Sequence, residues 1–158
     1  MEQSACLIDV RVQREDFSLQ AESETLRALS SNTGALVTFS GLVRDLHDGI
    51  AVRALTLEHY PGMTEKSLRA IAEEAAARWP LQGLIIIHRI GQLPATAQIV
   101  FVGVSSAHRQ AAFSACEFVM DYLKTRAPFW KKCHAADGEY WVDAKQSDDS
   151  AAQRWQPD

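Results

Sequence analysis

The sequence predicts an α+β fold, a single domain of mixed α/β character with a partly antiparallel sheet packed by about three helices. The first observation is that several strand-like segments follow one another directly, which is atypical of a doubly wound parallel sheet. The second is that three longer segments repeat their apolar residues at helical spacing. The third is the length of 158 residues, which suits one domain with a substantial core.

The first half of the chain alternates between strand and helix patterns. Residues 7–12 alternate apolar and polar side chains and predict a strand, and residues 17–29 predict a short helix. Residues 35–43 are rich in β-branched and aromatic side chains and predict a second strand, and residues 52–60 predict a third. The polar residues 44–49 between these two strands predict a mobile loop.

The second half contains the two longest predicted helices. One runs from Glu65 to Trp79, and the other runs from about Ala107 to Arg126, with Ser105 or Ser106 as its cap. The other predicted features are strands at 84–90 and 98–104, a turn at 91–94, and an irregular segment or short strand pair at 129–140 that stays extended to 142. We place the domain at residues 1–142 and treat residues 143–158 as an acidic C-terminal tail that is in part helical.

Composition and charge narrow the class of partner. The formal net charge of −4 gives no overall attraction to nucleic acid or to an anionic membrane. The chain shows neither a signal-peptide pattern nor an apolar run that could cross a bilayer. Cys6, Cys116 and Cys133 lie far apart and match no disulfide or metal-binding motif, so we expect a reducing cytoplasm and no bound metal.

Two basic segments are candidates for chemistry. Arg109 falls on the apolar side of the last long helix, next to His108 at its start, where free N–H groups and the helix dipole favour a phosphate or carboxylate. The alternative is that Arg109 pairs with an internal acid and His108 is solvated. At the C-terminal end of the same predicted helix, cations alternate with aromatic rings that can desolvate a lysine, in the segment from Lys124 to Lys132. The alternative there is a basic helix end that meets the C-terminal dipole.

Five stretches of the sequence resemble one family. In order along the chain, from about residue 5 to about residue 142, they resemble the large-subunit family of molybdopterin synthase, the MoaE-like proteins. The segment KTRAPFWK, residues 124–131, is the most specific of them. The five stretches are GALVTFSGLVRD at 34–45, LEHYPGM at 57–63, HRIG at 88–91, VSSAHR at 104–109 and MDYLKTRAPFWK at 120–131.

The resemblance implies a hammerhead-like fold and the role of a catalytic subunit. In that family, sulfur passes from the thiocarboxylated C-terminal Gly-Gly of a small ubiquitin-like carrier subunit to cyclic pyranopterin monophosphate. The product is the dithiolene of molybdopterin, an intermediate in molybdenum cofactor biosynthesis. The resemblance also implies a homodimer of large subunits within a heterotetramer, and neither a metal nor a cofactor in this chain.

The resemblance also implies the site residues. Lys124 and Lys131 match the two important lysines, and we expect one of them to act as a general acid or base. Relatives commonly carry an acidic residue where this chain has Cys133, which is a departure from the family pattern. Because this single cysteine lacks a recognisable nearby base other than the adjacent His134, we expect it to be a bystander and not a thiol relay. The expected substrate-binding residues are Leu42, Val43, Arg44, His108, Arg109, Lys124, Lys131, Lys132 and Cys133.

Two other functions compete with this interpretation. A non-catalytic module could keep the pocket and bind a ubiquitin-like tail, although such a module would have little reason to keep Lys124, Lys131, Arg44 and His108 together. A phosphate-handling enzyme would usually need acidic metal ligands or a phosphate-binding loop, and the sequence shows neither.

Overall fold

The fold consists of two β-sheets and four helices in a computed structural model that describes residues 5–47, 49–142 and 146–156. The strands are β1 (Leu7–Gln13), β2 (Ala35–Leu42), β3 (Leu46–His47), β4 (Ile50–His59), β5 (Gly83–Arg89), β6 (Gly91–Pro94), β7 (Gln98–Ser106), β8 (Phe129–Ala135) and β9 (Gly138–Val142). The helices are α1 (Leu19–Arg27), α2 (Met63–Arg78), α3 (Arg109–Arg126) and α4 (Gln146–Gln153). The predicted α+β class is confirmed.

The first sheet has the strand order β1-β5-β7-β2 and is covered by helices on both faces. β1 runs parallel to β5, whereas β5, β7 and β2 pair antiparallel. Leu84 and Ile86 of β5 pack with α2 and α3, and the alternating Ile85 and Ile87 pack on the α1 side. Both faces are therefore buried, which explains why this strand is continuously apolar. The same alternation directs His88, at the end of β5, to the α3 side.

The second sheet is organised around β4, which pairs with β3, β6 and β8, while β9 pairs with β8. Successive residues of a strand point to opposite faces. Phe129, Lys131 and Cys133 of β8 therefore share the face of Leu55 and Leu57, which lie opposite Cys133 and Lys131 in the β4 register. This face turns towards the interior, since Leu57 and Cys133 are each 1% exposed.

Two segments that we predicted as irregular form strands. Within the expected mobile loop at 44–49, Leu46–His47 forms a short strand that pairs with the start of β4, and Asp48 lies outside the described residues. The expected turn at 91–94 is β6, with Leu93 opposite Leu55. β6 pairs with a strand that is distant in sequence, which a local pattern does not reveal, and β3 is too short to show a periodicity of its own. The alternative of a strand pair within residues 129–140 is confirmed as β8 and β9.

The start of α3 differs from the prediction. His108 is the N-cap residue and its side chain makes no capping hydrogen bond. Ser105 and Ser106, the expected caps, belong to β7 and are fully buried. The Ser106 hydroxyl donates to the Pro80 carbonyl at 2.8 Å and accepts from the His108 N–H at 3.2 Å. Neither serine is therefore placed to hold an external anion.

The buried face of α3 differs from the prediction. Arg109, expected on the apolar side of this helix, is exposed. Phe113, one turn further along, is 62% exposed. The helix buries a set of residues led by small side chains against the first sheet and α2, namely Ala111, Ala112, Ala115, Cys116, Phe118, Val119, Tyr122 and Leu123.

The described part of the acidic tail packs against the domain. Residues 143–145 and 157–158 lie outside the described residues, and α4 occupies 146–153. Trp155 follows α4 and makes edge contacts with Trp79 and Phe118, at ring-centroid distances of 5.7 and 5.6 Å. Its indole N–H donates to the Asp121 carboxylate of α3 at 2.6 Å. The domain boundary at residue 142 stays a prediction.

Candidate active site

A cavity of about 320 Å³ lies where both sheets meet the last turns of α3. Its walls are largely apolar, and cationic side chains reach it from three different elements. The apolar and aromatic residues around it are Phe39, Gly41, Leu42, Val43, Val52, Leu55, Ile99, Val100, Met120, Leu123, Ala127, Phe129 and Val142. A space of this size, with flat apolar walls and a few polar groups, is typical of a small-molecule site.

Lys124, Lys131 and Arg44 supply the positive charge of this cavity. Lys124 lies in the last turn of α3 and Lys131 lies in β8, and the two elements are joined by Ala127 and Pro128. Ala127 is extended (φ −89°, ψ 130°) because the residue before a proline is excluded from helical conformation. The chain therefore reverses direction within a few residues, and both lysines reach the same cavity.

The turn between α3 and β8 is held in place by α2. The Thr64 hydroxyl, which is fully buried, donates to the Pro128 carbonyl at 2.9 Å. It also accepts the N–H of Tyr60 at 2.9 Å. These bonds tie the segment between Lys124 and Lys131 to the start of α2 and so restrict the movement of this turn.

Leu42, Val43 and Cys133 line the cavity beside the cations. Val43 is 3% exposed, exchanges backbone hydrogen bonds with Ala97 and Thr96, and packs with the buried leucines of β4 and β6. Leu42 follows an irregularity in the β2–β7 pairing and is 52% exposed. Burial raises the pKa of the Cys133 thiol, and the nearby Asp137 adds to this effect. The thiol is therefore protonated near neutral pH and is a poor nucleophile.

His88 is a cavity residue that our sequence interpretation did not assign. Its ring stacks on Phe129, with centroids 3.7 Å apart and planes at 17°. Its Nδ1 lies 2.8 Å from the carbonyl oxygen of Arg89. Burial, together with the positive charges of Lys131 and Lys124, lowers the pKa of His88 to about 3. The imidazole is therefore neutral near pH 7.

The structure does not bring Lys132 to the cavity. Lys132 lies on the opposite face of the second sheet from Lys131, where its ammonium contacts the Glu139 carboxylate at 3.0 Å and the Trp141 ring at 5.6 Å. On the same face, His134 bridges Glu139 and the hydroxyl of Thr56, at 2.9 and 2.6 Å. This outer cluster connects β4, β8 and β9 on the side away from the cavity.

His108 and Arg109 also lie away from the cavity of the same chain. Both are exposed at the first turn of α3, whereas Lys124 is in its last turn. At roughly 1.5 Å per residue, Arg109 and Lys124 are separated by about 22 Å along the helix. One small ligand cannot contact both ends of α3. Within one chain the predicted substrate-binding set therefore divides into a cavity group, the distant pair His108 and Arg109, and Lys132 on the outer face of the second sheet.

Sequence reasoning also missed several other residues of the cavity, including Phe39, Met120 and Asp148. Alternation could have identified Phe39, since it shares a face with Gly41 and lies opposite Val102. A histidine at the end of the apolar run Leu84–Ile87 was a comparable signal for His88. No local pattern signals Asp148, because α4 reaches the cavity only through tertiary packing.

Metal-ligand clusters and membrane-spanning helices are absent from the described part of the chain. Within residues 5–47, 49–142 and 146–156, no three His, Cys, Asp or Glu side chains are grouped in a way that could hold a metal ion. No helix of these same segments combines the length and apolar character needed to cross a membrane. The side chains of the cavity offer two ammonium groups for an anion and flat apolar walls for a ring system.

Comparison with known proteins identifies the family. The family model described as MoaE protein matches residues 12–126. A protein of Vibrio cholerae named molybdopterin synthase catalytic subunit is 60% identical over 147 residues, which cover 93% of this chain and 97% of that protein. Among solved structures, the molybdopterin biosynthesis MoaE protein of Burkholderia ambifaria is 53% identical, with a TM-score of 0.81 and coverage of 94% of this chain and 98% of that one.

A more distant solved structure has the same architecture. The structure described as molybdopterin synthase from Staphylococcus aureus is 34% identical and has a TM-score of 0.76. The match covers 84% of this chain and 95% of the Staphylococcus aureus chain. The matched family model covers the strands β2 to β7 and all of α1, α2 and α3. Lys124, which projects from α3 into the cavity, lies within the match. On the strength of that match and of relatives aligned over nearly its whole length, this chain belongs to the MoaE protein family.

Proposed function

We propose that this chain is the catalytic subunit of a molybdopterin synthase and acts as a sulfurtransferase. It takes sulfur from the thiocarboxylated C-terminus of a small ubiquitin-like subunit and installs it in cyclic pyranopterin monophosphate, forming the dithiolene of molybdopterin. The observation that carries the proposal is the convergence of Lys124 and Lys131 on one apolar-walled cavity beside Arg44. The relative named molybdopterin synthase catalytic subunit supports it over nearly the full length of both chains.

The cavity suits both reactants. A thiocarboxylate and a cyclic phosphate are anionic, and ammonium and guanidinium groups bind such anions by charge-assisted hydrogen bonds. A pterin ring is flat and needs apolar or aromatic surface, which Phe39, Met120 and Phe129 provide. An extended Gly-Gly tail has no side chains, so it can enter a narrow cavity without steric conflict.

Each transfer makes one carbon–sulfur bond and breaks another. The thiocarboxylate sulfur replaces an oxygen substituent at a substrate carbon, so that the carbon–oxygen bond breaks and the oxygen leaves as water or as a phosphate oxygen. Water then adds to the acyl carbon of the resulting thioester. The acyl–sulfur bond breaks, the carrier tail leaves as a carboxylate, and the sulfur stays on the pterin. Lys124 and Lys131 stabilise the negative charge that develops on the acyl oxygen, and one of them delivers or accepts the proton.

The proposal includes an assembly of subunits. His108 and Arg109 lie too far from Lys124 to share a small ligand within one chain, so any contact that they make with substrate must be made in the cavity of a second copy. We therefore propose the homodimer within a heterotetramer that the family resemblance implies, with one small carrier subunit at each cavity. The exposed Phe113, one turn from Arg109, provides apolar surface for such a contact.

We propose the cytoplasm as the site of the reaction. The cysteines Cys6, Cys116 and Cys133 are all unpaired in the structure, as expected of a protein kept in a reducing compartment. A thiocarboxylate donor would also survive best where thiols stay reduced.

Reconstitution tests the proposed function. The purified chain is mixed with cyclic pyranopterin monophosphate and a thiocarboxylated carrier subunit, and dithiolene is measured after oxidation to a fluorescent derivative. We expect product only when all three components are present, and none with a carrier that ends in an ordinary carboxylate. If a complex forms with the carrier but no dithiolene appears, while a control synthase is active, the chain is a binding module and the proposal is wrong.

A further inference from the structure

We propose that His88 is a positioning residue for this sulfur transfer, which accepts a hydrogen bond at Nε2 from the ammonium group of Lys131 and so directs that group at the reacting atoms. The inference rests on the proposed function and deepens it. It assigns a role to a cavity residue on β5, outside the two segments that carry the catalytic lysines.

The hydrogen bond at Nδ1 determines the tautomer of His88. Nδ1 lies 2.8 Å from the Arg89 carbonyl oxygen, and a carbonyl oxygen can only accept. Nδ1 must therefore carry the proton. In a neutral imidazole the other nitrogen, Nε2, then has a free lone pair and is an acceptor.

The surroundings keep this ring neutral. The charged and titratable groups around it are Lys131 of β8, Lys124 of α3 and His59 of β4, and all three disfavour a second proton on the ring. His88 is 3% exposed, so water does little to stabilise an imidazolium. A neutral acceptor orients an ammonium without cancelling its charge, whereas a carboxylate at this position would remove the positive charge that an anionic reactant needs.

The stack on Phe129 connects His88 to Lys131 through the backbone. Phe129 and Lys131 lie two residues apart on the same face of β8. The stack that holds the Phe129 ring therefore also holds the part of the strand from which Lys131 projects. The ring planes lie within 17° of parallel at 3.7 Å. His88 is thus anchored at Nδ1 and across its face, which leaves the Nε2 side of the ring available to a neighbouring donor.

Two substitutions separate packing from hydrogen bonding. His88→Phe keeps an aromatic ring against Phe129 and removes the acceptor, whereas His88→Gln loses the ring and returns an acceptor near the position of Nε2. We expect His88→Phe to lower the single-turnover rate by about 10- to 100-fold, with little change in KM, because an oriented charged donor is lost. His88→Gln should recover most of the rate.

The pH dependence of the single-turnover rate responds to the hydrogen bond between His88 and Lys131, whereas a change in packing alone would leave it unaltered. An ammonium that donates to an acceptor holds its proton more firmly. In His88→Phe, the high-pH limb of the single-turnover rate should therefore move to lower pH, and in His88→Gln it should return towards the wild-type position. Equal losses in both variants, or a wild-type rate and profile in His88→Phe, would overturn the role.

A spectroscopic measurement keeps this test separate from that of the proposed function. In the ¹⁵N-labelled protein at pH 7, the ring of His88 should be neutral with its proton on Nδ1, and its Nε2 resonance should shift in a Lys131→Met variant. An Nε2 resonance that is indifferent to Lys131→Met overturns the inference even if the wild-type protein makes dithiolene. If the wild-type protein makes none, the proposed function fails, and the same resonance still decides whether His88 accepts from Lys131.

Discussion

Lys131 and Lys132 are adjacent in β8 and lie on opposite faces of the second sheet. Lys131 lines the cavity opposite Leu57, and Lys132 lies opposite Thr56 on the outer face, in contact with Glu139 and Trp141. Two lysines that sequence analysis assigned together to one pocket therefore meet different surroundings, because side chains alternate along a strand.

This alternation provides a matched pair of variants. Lys131→Ala should reduce dithiolene formation by about 100-fold or more, since a charged group that acts in the transition state is lost. Lys132→Ala removes the same charge one residue away and should retain activity within about threefold. The rates are compared in the three-component reconstitution at fixed ionic strength. Equal losses in the two variants would contradict the placement of Lys131 as the cavity lysine.

Cys133 gives a second prediction about the cavity wall. Its thiol is buried and protonated, so it should not carry sulfur between donor and acceptor. Cys133→Ser keeps nearly the same size and should give a product yield within about threefold of wild type. A variant that folds and binds the carrier but makes no dithiolene would establish a thiol relay and refute the prediction.

His88 should also make stability depend on pH. Its pKa is about 3 in the folded chain, against an ordinary value of 6.5. Below pH 6.5 the unfolded chain binds a proton that the folded chain does not, so this contribution to stability is lost as pH falls from 6.5 towards 3. In that window, the free energy of unfolding of His88→Phe should fall less steeply than that of wild type, by about 1.4 kcal/mol per pH unit.

Urea unfolding at a series of pH values measures this difference. Above pH 7 the ring is neutral in both the folded and the unfolded chain, so the two proteins should show the same slope there. Parallel curves between pH 6 and pH 4 would show that His88 accepts a proton in the folded state and would contradict its burial as a neutral ring.

Trp155 should contribute to stability although it lies in the segment predicted as a tail. Its ring contacts Trp79 and Phe118, and its N–H donates to Asp121. Trp155→Ala should lower the free energy of unfolding by about 2 kcal/mol, since it removes a partly buried aromatic ring and leaves Asp121 with one donor fewer. The exposed neighbour Gln156 is the control, and Gln156→Ala should change stability by less than about 0.5 kcal/mol. Equal effects in urea titrations would show that the tail does not dock in solution.

Much of the fold was predictable because its elements carry strong local patterns. The continuous apolar run of β5 and the long apolar face of α2 are examples. β6 and β3 were missed, since they exist through pairing with β4 and carry no periodicity of their own. The start of α3 was misplaced because Ser105 and Ser106, good capping residues by type, are held in β7 by pairing with β2.

Some residues of the candidate site were predictable from the sequence and others were not, and the difference has a physical reason. Lys124, Lys131 and Arg44 converge because Pro128 reverses the chain and β2 ends beside the same cavity. Family resemblance grouped His108 and Lys132 with them, but resemblance does not say on which face or at which end of an element a residue lies. His88 was missed because a histidine in an apolar strand is, by sequence alone, as typical of a core as of a site.

The most direct test of the account is a comparison of Lys124→Ala with Arg126→Ala. Each removes one positive charge from the last turn of α3, but Lys124 lines the cavity, whereas Arg126 contacts Glu74 and lies over the Tyr122 ring at 3.7 Å. In single-turnover dithiolene formation with a thiocarboxylated carrier, we expect Lys124→Ala to lose about 100-fold or more and Arg126→Ala to remain within about threefold. A Lys124→Ala protein that binds the carrier and turns over at the wild-type rate would contradict the central claim that this cavity is the site of sulfur transfer.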